Sequence, residues 1–302
     1  MIKVIERKKI WFSISIGIMI IGLIFGIING VNIGIDFKGG TQLVLQLTDD
    51  YNKQEVDEIT AKYTDDYVTN TVDGSQYQVK SSNLDSEAVG KLVDELKEKY
   101  SLEDDIVVSQ DEIGASIGNE LKEKSLIALS IAFVVMLVYV AIRFEIDFGI
   151  AALLALFHDI LITISFYTIF DIQINSPFIA AILTIIGYSM NDTIVIFDRI
   201  RENVKKFRGK DYSEVANMSI GETLRRSIYT SLTTLFTIVS VCVFVPSVRN
   251  FAVPLIVGII AGAYSSIFIA SPIWVLLKTR KSKKSNKSDE KTKIKKKELA
   301  KA

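Results

Sequence analysis

Cysteine, histidine, tryptophan and proline are all scarce in this chain of 302 residues, which contains one, one, two and four of them respectively. With a single cysteine, Cys242, the chain cannot form an intrachain disulfide or a cysteine-based metal site, and we expect no metal site at all. The formal net charge is also zero, because 35 basic residues balance 35 acidic ones. That balance hides a strong segregation along the sequence.

The charges separate an acidic region from a basic one. Residues 31–120 contain 20 acidic residues and 7 lysines, whereas residues 278–302 contain 12 lysines and arginines and 3 acidic residues. Apolar residues are likewise gathered into long runs, which is not typical of a single soluble domain. The composition therefore predicts an integral membrane protein.

Six runs are long and apolar enough to cross a bilayer, which takes about 20 residues each. The runs are 10–30, 126–142, 148–170, 178–197, 228–245 and 251–277. The first follows basic residues, as a secretory signal does, but it is too long for a typical signal core and lacks a small-x-small cleavage site. We therefore expect residues 10–30 to be an uncleaved membrane anchor.

Lysine and arginine counts predict the orientation of these spans. The N-terminal segment and the C-terminal tail are basic, and residues 199–228 contain eight lysines and arginines. Because basic loops stay in the cytoplasm, both termini are expected there, with the acidic region on the other side of the membrane. The predicted organisation is a cytoplasmic N-terminus 1–9, helix 1 at 10–30, an outer domain and lead-in at 31–124, helices 2–6 within 125–277 including a cytoplasmic segment 199–227, and a disordered basic tail 278–302.

The outer domain shows strand and helix patterns in turn. Residues 35–48 read as a strand with Leu43, Leu45 and Leu47 on one face, and two further strands look like a hairpin around Asp73-Gly74. The full predicted order is strand 35–48, helix 52–63, strands 67–72 and 75–82, helix 86–100 and strand 105–113. This βαββαβ order is typical of a ferredoxin-like α+β module. Its acidic surface is either a solvated face or a surface that meets an unfolded or basic polypeptide.

Small residues recur at every fourth position in two spans. Gly22, Gly26 and Gly30 follow this spacing in the first span, as Gly258 and Gly262 do in the last. Such faces allow helix backbones to approach closely. We expect helix contacts at these glycines.

Polar residues lie inside three of the spans. His158 and Asp159 fall in the third, Asn191 and Asp192 in the fourth, and Arg226 at the start of the fifth. Ionisable groups at membrane depth are costly and by default mark ion or proton pathways. His158 alone has a second interpretation, as an interior histidine whose hydrogen bonds are satisfied.

Asp192 is the strongest functional candidate among these residues. A structural aspartate at this depth needs a fixed partner, for which Arg226 is the obvious candidate. If the helices rock so that Asp192 alternately faces Arg226 and a water path, its affinity for a proton changes between the two states. Asp198, Arg199 and Arg201 lie closer to the helix end, and we interpret them as an anchor at the headgroups.

Four motifs, in order along the chain, resemble those of the SecD/SecF family of protein translocase subunits. This family belongs to the resistance-nodulation-division superfamily, and the motifs match those of its SecF members. They are GIDFKGGT at 34–41, FHD at 157–159, GYSMNDTIVIFDRIREN at 187–203 and RRSIYTSLTTL at 225–235. The resemblance covers almost the whole chain, except the basic tail from about Lys281.

The resemblance implies a non-enzymatic subunit of the Sec export machinery in the bacterial plasma membrane. It would pair with a separate SecD chain as a heterodimer, work beside the SecYEG channel and use the proton-motive force to promote preprotein translocation, with protons as the coupling ion and no other cofactor. It assigns proton handling to Asp192, the important arginine of the fifth span to Arg226, and the turn into the outer domain to the motif containing Gly34, Asp36, Gly39 and Gly40. Gly39 and Gly40 are expected to permit a tight backbone bend.

Two alternative functions are consistent with part of the sequence. A proton-coupled exporter of lipids or small molecules from the same superfamily usually carries two six-span halves, and this chain shows no second copy. An intramembrane aspartyl protease could use Asp159 and Asp192 as a pair, but neither residue lies in a GxGD motif. The basic tail is expected to contact anionic membrane lipids rather than nucleic acid.

Overall fold

The computed structural model describes residues 3–48, 50–72, 74–102, 105–245 and 248–281. Within these residues, six helices are long and apolar enough to cross a membrane, as the sequence predicts, and the chain is a multi-pass membrane protein. They are α1 (Lys8–Ile28), α5 (Ala115–Arg143), α6 (Ile146–Ile169), α7 (Ser176–Lys206), α8 (Tyr212–Phe244) and the last helix (Arg249–Lys281), whose first part is α9 (Arg249–Ser265).

A small α+β domain is inserted between α1 and α5. Its elements are α2 (Ile35–Lys38), β1 (Gly40–Gln46), α3 (Lys53–Thr60), β2 (Tyr67–Val72), β3 (Gln76–Ser81), α4 (Ser86–Tyr100) and β4 (Val107–Ile113). The four strands form an antiparallel sheet in the order β2-β3-β1-β4. This arrangement confirms the predicted ferredoxin-like βαββαβ fold.

The core of this sheet domain follows the predicted alternation. Leu43, Leu45 and Leu47 are buried, and they pack against Val89 and Leu92 of α4 in one apolar cluster. The prediction of a strand over residues 35–48 is wrong at its start, because residues 35–38 form a helical turn and the strand begins at Gly40. Asp73 of the predicted Asp73-Gly74 turn lies outside the described residues, as do residues 282–302 of the basic tail.

The membrane helices form an inner and an outer set. About half or more of the most apolar segment of α6, α7 and the last helix is buried, whereas α1, α5 and α8 expose most of theirs. Glycines bring helices close together as predicted, for instance at two positions: a Cβ built on Gly22 would overlap Ser165 of α6, and one on Gly258 would overlap Ile185 of α7. The predicted contact at Gly30 is wrong, because Gly30 lies beyond the end of α1 and no described residue other than its chain neighbours comes within 4 Å of its Cβ position. The inner three helices therefore form the core around which the others pack.

The helix bundle has two distinct ends. At the domain end, the Gly34 N–H donates to the Ile174 carbonyl at 2.7 Å, and Asp36 accepts from the Ser176 N–H at 2.8 Å, which satisfies a free donor at the start of α7. At the opposite, basic end, the backbone N–H groups of Val4 and Ile5 donate to the Asn217 side chain of α8. Thus the sheet domain is fixed to α7, and the N-terminal segment is fixed to α8.

The Gly39–Gly40 pair turns the chain from α2 into β1. Both residues have positive φ, +84° and +141°, which favours glycine at each position. A Cβ on Gly40 would in addition lie 2.3 Å from the Ser81 carbonyl oxygen of the neighbouring strand. The close approach of β1 and β3 therefore depends on glycine at position 40.

We predict that Gly40→Ala destabilises the sheet domain by about 1–3 kcal/mol or more, since it combines strain with a backbone clash. Gly90→Ala is the matched control, because Gly90 lies in α4 with no neighbour in the way, and alanine there is expected to be neutral or stabilising. Hydrogen exchange of the β1 and β3 amides in the full chain measures both. Equal protection in Gly40→Ala and wild type would contradict the prediction.

Asp57 of α3 links that helix to the sheet. Its carboxylate accepts hydrogen bonds from Thr69 at 2.7 Å and Tyr77 at 2.9 Å and pairs with Lys53 at 2.6 Å. Burial acts to raise the pKa of Asp57, but the hydrogen bonds from Lys53, Thr69 and Tyr77 outweigh it and hold that pKa below its ordinary value. The ionised form is therefore favoured in the folded domain.

A lowered pKa means that the stabilisation by Asp57 is fully present above the ordinary pKa of an aspartate and is lost as the pH falls through the lower folded value. We therefore expect wild type to lose stability on acidification through and below about pH 4, the ordinary aspartate value. Asp57→Asn should be less stable at neutral pH and flatter in that acidic window. Urea titrations followed by proteolysis of the sheet domain at several pH values measure this. A wild-type acid response retained in Asp57→Asn would refute it.

Candidate functional site

Asp159 of α6 lies at the centre of a buried polar cluster. Its side chain is fully buried and accepts hydrogen bonds from Ser189 of α7 at 2.5 Å and from Ser265 of α9 at 2.9 Å. Its other oxygen lies 2.9 Å from Nδ1 of His158. The inner three helices thus meet at one carboxylate.

His158 extends this cluster to a fourth helix. Its Nε2 lies 2.8 Å from the Ser15 hydroxyl of α1, and the Tyr264 ring stacks on the imidazole with centroids 6.0 Å apart. Directly after Ser265, a π-helical segment spans Ser266–Ala270. Single π turns of this kind often occur at functional sites. Here the segment starts at Ser266, whose hydroxyl lies 2.8 Å from that of Thr193 on α7.

Asp192 lies one helical turn beyond Ser189 on α7, and its side chain faces α8 instead of α9. It is 4% exposed and accepts one hydrogen bond, from Ser231 at 3.2 Å. Asp192 is therefore buried, but its carboxylate has fewer hydrogen-bond partners than that of Asp159. A carboxylate in such a place is costly unless it is protonated, paired or hydrated.

The predicted pairing of Asp192 with Arg226 is not a contact ion pair. Across the described residues, no nitrogen of Arg226 lies within 4.0 Å of a carboxylate oxygen of Asp192. Arg226 is exposed and lines a cavity of about 440 Å³ between α5, α7 and α8 at the basic end. We call this cavity the vestibule.

The vestibule also contains the residues predicted as a helix-end anchor. Asp198 pairs with Arg201 at 2.9 Å and with Arg143 of α5 at 3.0 Å, while Arg199 pairs with Glu222 of α8 at 2.6 Å. These residues are partly exposed. Their pairs tie α5, α7 and α8 together at the basic end.

Asn191 does not join the buried cluster. It is exposed on the outer side of α7, on a stripe that it shares with Thr184 and Gly187. These three residues recur at helical spacing, so they occupy one face. The structure therefore places the adjacent residues Asn191 and Asp192 on different sides of α7.

Sequence reasoning missed Ser15, Ser265 and Ser266. The only signal that would have found them is their position, since each is a hydroxyl in a long apolar run at the depth of the ionisable residues. The same reasoning correctly places His158 and Asp159 side by side. It gave no indication that Ser189 and Ser265 donate to Asp159.

Comparisons with known proteins assign the chain to a family. The model of the protein export membrane protein SecD/SecF, C-terminal, matches residues 92–280, and that of the SecD/SecF GG motif matches residues 24–50. The second match contains the Gly39–Gly40 turn.

Curated relatives match along most of the chain. The protein translocase subunit SecF of Sebaldella termitidis is 38% identical, covering 95% of this chain and 97% of that protein. That of Calditerrivibrio nitroreducens is also 38% identical, covering 90% and 93% respectively. The protein translocase subunit SecDF of Bacillus subtilis is 34% identical, covering 92% of this chain but 38% of its own length.

A solved structure resembles this chain as a whole. The crystal structure of SecDF, a translocon-associated membrane protein from Thermus thermophilus, superposes with a TM-score of 0.80 at 33% identity. The match covers 91% of this chain and 38% of that one. The family models, the curated relatives and this fold agree, and the chain belongs to the SecD/SecF family of protein export membrane proteins.

Proposed function

We propose that this chain is a subunit of the Sec protein-export machinery that pairs with SecD and uses the proton-motive force to promote preprotein translocation through SecYEG. The observation that carries the proton role is Asp192, a buried carboxylate with a single hydrogen bond in the middle of a membrane helix. The names of the relatives support the role in export.

Asp192 suits proton transfer because neither of its protonation states is strongly fixed. One hydrogen bond from Ser231 stabilises the ionised form only weakly, and burial opposes the charge. Arg226 on the adjacent helix α8 is exposed to the vestibule and forms no contact pair that would lock the ionised form. A small movement of α8 relative to α7 would therefore change the proton affinity of Asp192.

The work available from this step is set by the membrane potential. Moving one elementary charge across the bilayer releases about 2.3 kcal/mol per 100 mV. In this proposal that energy drives a movement of the helix bundle. The sheet domain would follow, because Asp36 of that domain is bonded to the start of α7, the helix that carries Asp192.

We assign the Asp159 cluster a supporting role in this process. Three neighbours bond to its carboxylate and tie α6, α7 and α9 together, and His158 adds α1 through Ser15. A group held so completely is suited to fixing helix positions. This cluster would hold α7 in place while Asp192 exchanges its proton.

An exposed stripe on α7 supports the proposed partner, and the distribution of basic residues supports the proposed orientation. The stripe of Thr184, Gly187 and Asn191 offers small and polar side chains at membrane depth, as interfaces between membrane helices do. This chain matches 38% of each SecDF chain, and we propose that a separate SecD partner corresponds to the rest. We propose that SecD covers this stripe, and that the basic end faces the cytoplasm with the sheet domain on the outer side.

The two alternative functions receive less support. The chain's matched relatives are translocase subunits rather than exporters of small molecules. A protease dyad requires two carboxylates that share a proton, whereas Asp159 and Asp192 bond to different serines on different helices.

We predict that Asp192→Asn leaves insertion and pairing with SecD intact but abolishes the gradient-dependent part of preprotein export, since an amide cannot carry the proton. Arg226→Ala should act similarly, and Asp198→Asn, which alters the partly exposed anchor, much more mildly. Export in a depletion strain, with the proton gradient clamped, measures this. Wild-type export by Asp192→Asn would overturn the proton role.

The Asp159 cluster gives a second prediction. Asp159→Leu should lower the yield of the folded SecD pair, because it leaves buried hydroxyls without an acceptor at a cost of about 1–3 kcal/mol each. Asp159→Asn keeps an acceptor oxygen and should retain both assembly and part of the gradient-dependent export. Co-purification and the same export assay separate the two effects. A well-assembled Asp159→Asn that exports no better than Asp192→Asn would make Asp159 a proton carrier instead.

A further inference from the structure

Ser227 of α8 is the one hydroxyl of the α7–α8 interface for which the described residues offer no hydrogen-bond partner. Its side chain is 1% exposed, and its Oγ is buried and unpaired. Most other hydroxyls of α8 donate to the carbonyl one turn earlier, as Thr223 and Thr230 do, and Ser231 donates to Asp192. A buried hydroxyl with no partner costs free energy, so its position calls for an explanation.

The pairing of α7 with α8 fixes the place of Ser227. Going from the domain end to the basic end, the bonded pairs are Tyr188–Thr234, Asp192–Ser231, Arg199–Glu222 and Asn203–Ser219. In this register Ser227 stands opposite Val195, between the Asp192 pair and the Arg199 pair. Along the helix it is four residues, or about 6 Å, from Ser231.

The vestibule reaches the same level from the basic end. Its lining includes Val195 on α7 and Thr223 and Arg226 on α8, the residues that surround the Ser227 position. Asp192 lies one turn before Val195 on α7, and Ser231 lies one turn after Ser227 on α8. The buried, unpaired hydroxyl thus lies between the inner end of an open cavity and the buried carboxylate.

We propose that Ser227 is a positioning residue that holds a water molecule between Asp192 and the vestibule, and so forms the last step of the proton route at the basic end. The proposal rests on the function proposed above. The O–H bond of protonated Asp192 breaks as a new O–H bond forms on this water, and the water passes a different proton to water in the vestibule. Asp192 returns to a carboxylate, and the proton leaves to the solvent.

The charges around the vestibule are consistent with this step. Arg226, whose guanidinium lines the vestibule, carries the charge opposite to that of the carboxylate that remains after the proton has left. Asp198 and Glu202 line the outer part of the cavity, where both form ion pairs with arginines. The Ser227 hydroxyl itself both donates and accepts a hydrogen bond, so it can orient one water in either direction of transfer.

The first test uses the SecD heterodimer in proteoliposomes and a pair of variants with nearly the same shape. Ser227→Thr keeps the hydroxyl, and Ser227→Val replaces it with a methyl group. We expect Ser227→Val to lower gradient-dependent export about tenfold, the effect of losing about 1.4 kcal/mol from the transfer step, and Ser227→Thr to stay near wild type. Equal export by the two variants would overturn the proposal.

The second test detects the hydrated path without relying on activity. In a Cys242→Ala background, Ser227→Cys is treated with a membrane-impermeant, charged methanethiosulfonate added from the basic end. Ser219→Cys is the matched control, since Ser219 is a buried serine of α8 nearer the basic end whose hydroxyl is already bonded to Asn203. We expect the deeper Ser227→Cys to react and Ser219→Cys to remain protected. No reaction at Ser227→Cys, or the same rate at both positions, would overturn the proposal.

Asp192→Asn in the same assays separates the two proposals. If Asp192→Asn abolishes gradient-dependent export while Ser227→Val exports like Ser227→Thr, only the role of Ser227 is wrong. If Asp192→Asn exports normally, the proposed function fails, whatever the labelling of Ser227→Cys shows.

Discussion

The structure depends on the need to satisfy a carboxylate buried in an apolar bundle. Asp159 is fully enclosed, and leaving it without partners would cost several kcal/mol. The partners are Ser189, Ser265 and His158, the last of which also contacts Ser15. Four of the six membrane helices are thereby held in one arrangement. Glycines on α1 and α9 make these contacts possible, because they allow close approach to α6 and α7 respectively.

Asp159 and Asp192 differ in how many hydrogen-bond partners each carboxylate has. Ser189, which bonds to Asp159, lies one helical turn from Asp192 on α7, yet Asp159 has three partners and Asp192 has one. Asp192 faces α8, an outer helix that exposes most of its apolar surface, and the vestibule opens on the same side. Three partners of Asp159 thus link α6, α7 and α9, whereas the vestibule opens beside α8, and we propose that a proton enters and leaves there, at Asp192 of α7. The sheet domain is attached to the same helix through Asp36.

Hydropathy and periodicity predicted the architecture because they record burial directly. The alternation of Leu43, Leu45 and Leu47 predicted the sheet core, and helix α4 begins at Ser86, where Asp85 caps it. The turn at residues 35–38 was missed because the alternation in IDFK suits a strand equally well. Only a contact with Ser176, far away in the sequence, shows that Asp36 acts as a cap.

The candidate site was predicted in part, for a related reason. Depth along the helices placed His158, Asp159 and Asp192 at similar levels, but it does not specify which way a side chain faces. In the structure, Asp192 accepts a hydrogen bond from Ser231, whereas Arg226 lines the vestibule. Ser15 and Ser265 could not be assigned to the cluster from the sequence, because a hydroxyl in an apolar run indicates its depth but not its partner.

The most direct test of proton carriage by Asp192 is an infrared titration of the carboxyl groups in the reconstituted SecD heterodimer. We expect a carboxylic acid C=O band that changes with pH in wild type and in Asp159→Asn and is absent in Asp192→Asn. An unchanged titrating band in Asp192→Asn would show that another group carries the proton.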